Sequence, residues 1–158
     1  MNKKVDVLKK ITDSNELFII AGPCVIENKE TTFMIAEKLK SICKKHNVHL
    51  IFKGSYRKAN RTKFDSFTSI GDEKALKILQ KIRQEFNIPV TTDIHSSSEA
   101  KNAAKFVDMI QIPAFLCRQT DILVAAAKTK KYINIKKGQF MSAENMQFAV
   151  EKIIKNGN

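Results

Sequence analysis

The sequence contains no apolar run near the ~20 residues that a membrane helix requires, so no membrane partner is expected. Its first residues, Met1-Asn2-Lys3-Lys4-Val5-Asp6, lack the apolar core of a secretory signal. Cysteine is scarce. Cys24, Cys43 and Cys117 form an odd set at irregular spacing, which argues against a disulfide framework and fits free thiols in a reducing cytoplasm. Acid is short as well: 16 Asp and Glu face 28 Lys and Arg, for a net charge of +12. That balance raises the question of nucleic acid. The lysines, however, are spread over every predicted helix, and zinc-finger spacing, an aromatic ribonucleoprotein motif and a helix-turn-helix signature are all missing. No nucleic-acid partner is expected. Lys, Ile, Asn and Phe are abundant together, a bias that an AT-rich genome imposes, so part of the charge reads as surface drift and part as serving an anion site. Gly-x-Gly-x-x-Gly does not follow the first apolar run, and no Walker lysine motif occurs, which removes the main support for a nucleotide-binding doubly wound sheet.

What is present is a β-α alternation. The length of 158 residues, 43% of them hydrophobic, suits one domain over 1–158 with a real core. Residues 3–9 alternate weakly and predict a short N-terminal strand or hairpin. Residues 17–24 read as a strand buried on both faces and broken by Gly22-Pro23. A helix over 28–46 follows, with Asn28 as N-cap. Strands are predicted at 48–55, 89–95, 109–114 and 132–137. Helices are predicted at 72–86, at 98–106 with Ser97 as cap, from Thr120 or Asp121 through Ala127, and at 143–155 behind Ser142. Repeated βα units with short loops imply a parallel sheet covered by helices. A full (β/α)₈ barrel needs about 250 residues. The expected fold is therefore α/β: a partial, incomplete (β/α)₈ TIM barrel of about five βα units.

Side chains alternate faces along a strand, and one parity stands out. It carries Gly22 and Cys24, Lys53 and Ser55, Asp93 and His95, Gln111 and Pro113, and Asn134 and Lys136. The other parity is mostly plain and apolar. Polar or reactive groups thus gather on one face at the C-terminal ends of the strands, where barrel enzymes place their sites. Lys53, Lys58, Arg61 and Lys136 suit a small, highly charged anion bearing phosphate and carboxylate. Asn60, Thr62 and Gln111 can hydrogen-bond a polyol. Cys24 and His95 are fewer donors than a metal site needs. Cys43 and Cys117 read as ordinary buried or helix-side thiols, and His46 and His49 as structural.

These motifs together resemble the 3-deoxy-D-manno-octulosonate 8-phosphate synthases. The resemblance rests on Ala21-Gly22-Pro23-Cys24, Phe52-Lys53-Gly54-Ser55, Lys58-Ala59-Asn60-Arg61 and Thr92-Asp93-Ile94-His95. It continues through Gln111-Ile112-Pro113-Ala114-Phe115-Leu116 and Asn134-Ile135-Lys136-Lys137-Gly138. It implies a cytoplasmic, homo-oligomeric enzyme that condenses phosphoenolpyruvate with arabinose 5-phosphate. It further implies catalytic roles for Lys53, Lys58, Asp93 and His95. Substrate binding would involve Ser55, Asn60, Arg61, Thr62, Gln111, Pro113, Ala114 and Lys136. Cys24 would be one ligand of a divalent metal, Zn, Fe or Mn.

The sequence also departs from that pattern. Arg57 stands where the family has Asp in its Ser-Phe-Asp-Lys block, and Thr68-Ser69-Ile70-Gly71 replaces Arg-Gly-Pro-Gly. The family's later arginine and its later His, Glu and Asp metal ligands are missing, so the expectation is a truncated gene product or a fragment, with the remaining metal ligands absent. The alternatives are a non-catalytic half-barrel binding module and a related aromatic-pathway synthase.

Overall fold

The computed structural model describes residues 7–13 and 15–158. Val7–Asp13 forms helix α1. Its Leu8 and Ile11 are buried against Ile51 and Met109, with Ile20 and Tyr132 packed on the same cluster. This corrects the expected N-terminal strand or hairpin: residues 7–9 are helical, and 3–6 lie outside the described residues. The reason is spacing. Positions 8 and 11 share one face of a helix, whereas in a strand they would point to opposite faces.

Five strands follow: β1 Phe18–Ala21, β2 His49–Lys53, β3 Val90–Asp93, β4 Met109–Ile112 and β5 Tyr132–Ile135. They form one sheet in the order β1-β2-β3-β4-β5, every neighbouring pair parallel. A sheet whose spatial order follows its chain order is wound as a barrel is, since a doubly wound sheet reverses at a switch point. The fold is α/β, a five-stranded partial barrel. Between and after the strands lie α2 Lys29–Lys45, α3 Asp72–Phe86, α4 Ala100–Ala103, α5 Thr120–Ala127 and α6 Met146–Ile154. No helix among the described residues is long and apolar enough to cross a membrane.

Local chemistry explains most of these boundaries. The Asn28 side chain accepts a hydrogen bond from Thr31 N at 2.8 Å and caps α2 as expected. Asn47, Asn87 and Lys130 adopt left-handed φ values of 52°, 51° and 58° where a helix turns toward the next strand, a conformation that asparagine tolerates and lysine does not favour. The segment after β3 is less helical than expected. Ser97–Glu99 is a 3₁₀ turn ahead of the short α4. Ser97 is not its cap; Ser96 stands at that position, and its hydroxyl donates to Glu99 Oε1 at 3.0 Å. Helix α6 starts later than Ala143, at Met146.

The two faces of the sheet divide the labour. Leu50, Phe52, Val90, Ile110 and Ile112 form the outer core with Leu76, Leu79 and Ile82 of α3. β1 is not buried on both faces as expected. Phe18 is 38% exposed, because β1 pairs only with β2 and forms an edge. On the inner face, Lys53 aligns with Thr91, Thr91 with Met109 and Met109 with Tyr132. One step further toward the C-terminal ends, Asp93 aligns with Gln111 and Gln111 with Asn134. The inner face thus has an apolar layer of Ile20, Ile51, Met109 and Tyr132 under α1 and a polar layer of Lys53, Thr91, Asp93, Gln111 and Asn134 beside and beyond it. The irregular connection 54–71 leaves β2 from this polar layer. Connections of that length inside a compact fold are usually functional.

Candidate anion-binding site

The chain leaving β2 turns two cations onto one hydroxyl. Lys53 Nζ donates to Ser55 Oγ at 2.6 Å, and Lys58 Nζ donates to the same oxygen at 2.9 Å. Ser55 is fully buried. Thr92 fixes the start of the loop: its hydroxyl donates to Gly54 O at 2.8 Å and accepts from Tyr56 N at 3.3 Å. Gly22, just past β1, comes so close that an added Cβ would lie 1.9 Å from Lys53 O, so only glycine fits beside this residue. Burial pushes the Lys53 ammonium down from its ordinary pKa; Asp93 opposes this, and neighbouring Lys58 adds to it.

Asp93 and His95 face this pair from β3 and the turn beyond it. Lys53 Nζ lies 3.6 Å from Asp93 Oδ1, and His95 Nε2 lies 3.3 Å from Asp93 Oδ2. Burial alone would raise the Asp93 carboxyl, but the His95 contact and the Lys53 charge outweigh it and hold the group well below the usual carboxylate range. Burial disfavours the His95 imidazolium; Asp93 and Glu99 more than compensate and raise its pKa to about 8. Thr91 Oγ1, Asp93 Oδ1 and His95 Nδ1 are buried without a hydrogen-bond partner among the described residues. Such atoms are rare in folded proteins and point to a missing partner.

The remaining expected residues are placed as follows. Gln111 is buried and accepts from Asn134 Nδ2 at 3.1 Å. Pro113 is buried and Ala114 half-buried, at the 3₁₀ turn that follows β4. Lys136 is exposed beyond β5; its backbone N donates to Ile112 O at 3.0 Å, and its ammonium has no ion pair among the described residues. Asn60, Arg61 and Thr62 are exposed, and Arg61 Nε donates to Phe67 O at 3.0 Å, within its own loop. The structure therefore brings Lys53, Ser55, Lys58, Asp93 and His95 together and leaves Asn60, Arg61, Thr62 and Lys136 without side-chain links to that group among the described residues. Cys24 is exposed. Among the described residues no three His, Cys, Asp or Glu side chains converge to hold a metal ion, so the donors present do not make up a metal centre. Cys43 and Cys117 are buried, as expected, and His49 pairs with Glu16 at 2.5 Å.

Two residues that the sequence reading passed over, Tyr56 and Glu99, join the group together with Arg57. Tyr56 OH and Arg57 both donate to the Glu99 carboxylate, and Arg57 NH1 also reaches Asp72 at 3.0 Å. The sequence carried no signal for this, since His95 ends the predicted strand at 89–95 and Glu99 falls in the predicted helix at 98–106, where helical spacing does not relate the two.

The chain matches the model of the DAHP synthetase I family over residues 4–158. It is similar to curated proteins named 2-dehydro-3-deoxyphosphooctonate aldolase. That of Koribacter versatilis (strain Ellin345) is 52% identical over 143 residues, 90% of this chain and 51% of the relative. That of Campylobacter jejuni (strain RM1221) is 50% identical over 139 residues, 88% of this chain and 51% of the relative. That of Geobacter sulfurreducens is 50% identical over 149 residues, 94% of this chain and 55% of the relative. The chain spans about half the length of the curated relatives it matches.

Proposed function

Since the chain belongs to the DAHP synthetase I family, we propose that it carries the phosphoenolpyruvate-binding part of a 3-deoxy-8-phosphooctulonate synthase, a transferase of Kdo and lipopolysaccharide biosynthesis. The reading is supported by relatives at about 50% identity that carry the aldolase name. The observation that carries it is the convergence of Lys53 and Lys58 on Ser55, beside Asp93 and His95. Two ammonium groups around one hydroxyl form a receptor for a compact multivalent anion.

In this reading phosphoenolpyruvate displaces Ser55 as the partner of Lys53 and Lys58, and Gln111 and Lys136 meet its far side. Asn60, Arg61 and Thr62 receive arabinose 5-phosphate, with Arg61 released from Phe67. Pro113 and Ala114 shape the wall after β4. C3 of phosphoenolpyruvate forms a bond to the aldehyde carbon, and the aldehyde oxygen takes a proton. Water adds to C2, and phosphate leaves with cleavage of its C–O bond. Fixed cations stabilise the charge that develops on this path, and holding two anions in line is much of the task. His95, kept protonated by Asp93 and Glu99, serves as the proton donor in this reading.

A divalent ion (Zn, Fe or Mn) would find one thiolate in Cys24. The described residues supply too few further donors, and no step is assigned to it. That shortage favours a second reading, a half-barrel module that binds phosphoenolpyruvate without turning it over. A cytoplasmic location and a homo-oligomer complete the proposal.

Calorimetric titration tests it. Phosphoenolpyruvate should bind the chain and lose at least roughly tenfold in affinity in Lys58→Ala and Lys136→Ala, as expected for deleting a charge-assisted contact. Unchanged affinity in both variants would reject the assignment. Phosphate release with arabinose 5-phosphate, with and without added Zn²⁺ or Mn²⁺, separates the two readings: turnover supports the synthase, and binding alone supports the module.

A further inference from the structure

We propose that Glu99 is a positioning residue of this site, holding the His95 imidazole on Asp93 while Tyr56 and Arg57 hold Glu99 itself. The proposal deepens the reading above and rests on it only for the identity of the anion. Glu99 Oε2 accepts from Tyr56 OH and from His95 N at 2.8 Å, and lies 3.6 Å from His95 Nδ1. Its Oε1 accepts from Arg57 and from Ser96 Oγ at 3.0 Å. Two donors on each oxygen use all the lone pairs that a carboxylate offers. Glu99 is therefore saturated, with nothing left for a substrate or a metal, and can act only through what it holds.

What it holds directly is the backbone N of His95, which sets the imidazole beside Asp93 with the Glu99 charge 3.6 Å from its Nδ1. Asp93 meets one ring nitrogen and Glu99 approaches the other, while Tyr56 lies edge-on to the ring with centroids 6.1 Å apart. The donors come from two separate places: Tyr56 and Arg57 from the loop after β2, and His95 and Ser96 from the turn after β3. Tyr56 is buried and directly follows Ser55; Arg57 directly precedes Lys58. Glu99 thus ties the segment bearing the cations to the segment bearing the Asp93–His95 pair. Arg57 stays on it because Asp72 pins the other guanidinium nitrogen at 3.0 Å. A carboxylate in this place also favours the imidazolium, in keeping with the raised pKa of His95.

The test is Glu99→Gln in the full chain, followed by NMR of ¹³C-labelled histidine. Its side chain has nearly the same shape without the charge. The His95 midpoint should fall by roughly one pH unit relative to the wild type. A folded variant with an unmoved His95 midpoint would overturn the proposal. If Glu99→Gln does not fold, Glu99→Asp, which keeps the charge and withdraws it, should give a smaller fall in the same direction. Failure of both variants to fold would assign Glu99 to bracing the two loops and overturn the proposal as well. Titrating the wild type with phosphoenolpyruvate is a separate arm. Absence of binding would remove the reading of the anion and leave the His95 titration to decide on Glu99.

Discussion

Stability should fall as pH rises through the titration of His95. The perturbation is a proton on one ring whose side chain is 6% exposed, between Asp93 at 3.3 Å and Glu99 at 3.6 Å. Its pKa rises from 6.5 in the unfolded chain to about 8 in the folded one. At about 1.4 kcal/mol per pH unit, that difference is worth about 2 kcal/mol. A group whose folded pKa is raised contributes in full below the unfolded value. This contribution is therefore complete below about pH 6.5 and gone by about pH 9. Asp93 works on the opposite flank: its depressed folded pKa stabilises above the ordinary carboxylate value and is lost in acid. The two share one contact, so their contributions do not add. Urea unfolding at about pH 5.5, 7 and 8.5 and constant ionic strength should show the midpoint dropping by roughly 1 M across the series, for a slope of about 2 kcal/mol per molar. In His95→Asn the profile should flatten over that range. A constant midpoint in the wild type, or the same drop in His95→Asn, would refute the reasoning.

Two further substitutions probe the backbone. Gly22→Ala places a methyl group 1.9 Å from Lys53 O, and the backbone there cannot yield without moving β1 against β2. It should cost roughly 3 kcal/mol and be visible as a lowered urea midpoint together with weakened phosphoenolpyruvate binding; a neutral effect on both would contradict the close approach. Lys130→Gly relieves a left-handed lysine at φ 58° at the loss of its contact with Gly157 O. It should stabilise by about 1 kcal/mol, and a lowered melting temperature would show that the lost contact outweighs the strain.

Legibility in the sequence followed the range of the physics involved. Helix α3 lies at 72–86, where its apolar spacing put it, because Leu76, Leu79 and Ile82 mark one face regardless of what covers it. The inner-face parity of Lys53, Asp93, Gln111 and Asn134 was legible for a similar reason: alternation along a strand is strictly local. The exposure of β1 was not, since its apolar residues say nothing about how many neighbours pair with it. Helix α1 was misread because a short segment with few apolar residues fits both periods until its partner is known. The Glu99 clamp escaped because two of its donors, Tyr56 and Arg57, lie 43 and 42 positions from it in the chain, and no local pattern links them. Arg57 was noted as a departure from the family pattern, but what it reaches, Asp72 and Glu99, came only with the fold.

Helix α1 sits on the apolar layer that Ile51 and Met109 present on the inner face. Any other segment that packs there competes for the same surface. Burying Leu8 and Ile11 is worth about 3–6 kcal/mol before the cost of ordering the helix. Even a net preference of about 3 kcal/mol leaves only roughly one molecule in 150 with the layer free. A competitor's apparent affinity is then reduced by that fraction, however well it fits. The measured weakness of an association through this layer would report on the seven residues of α1 as much as on the partner.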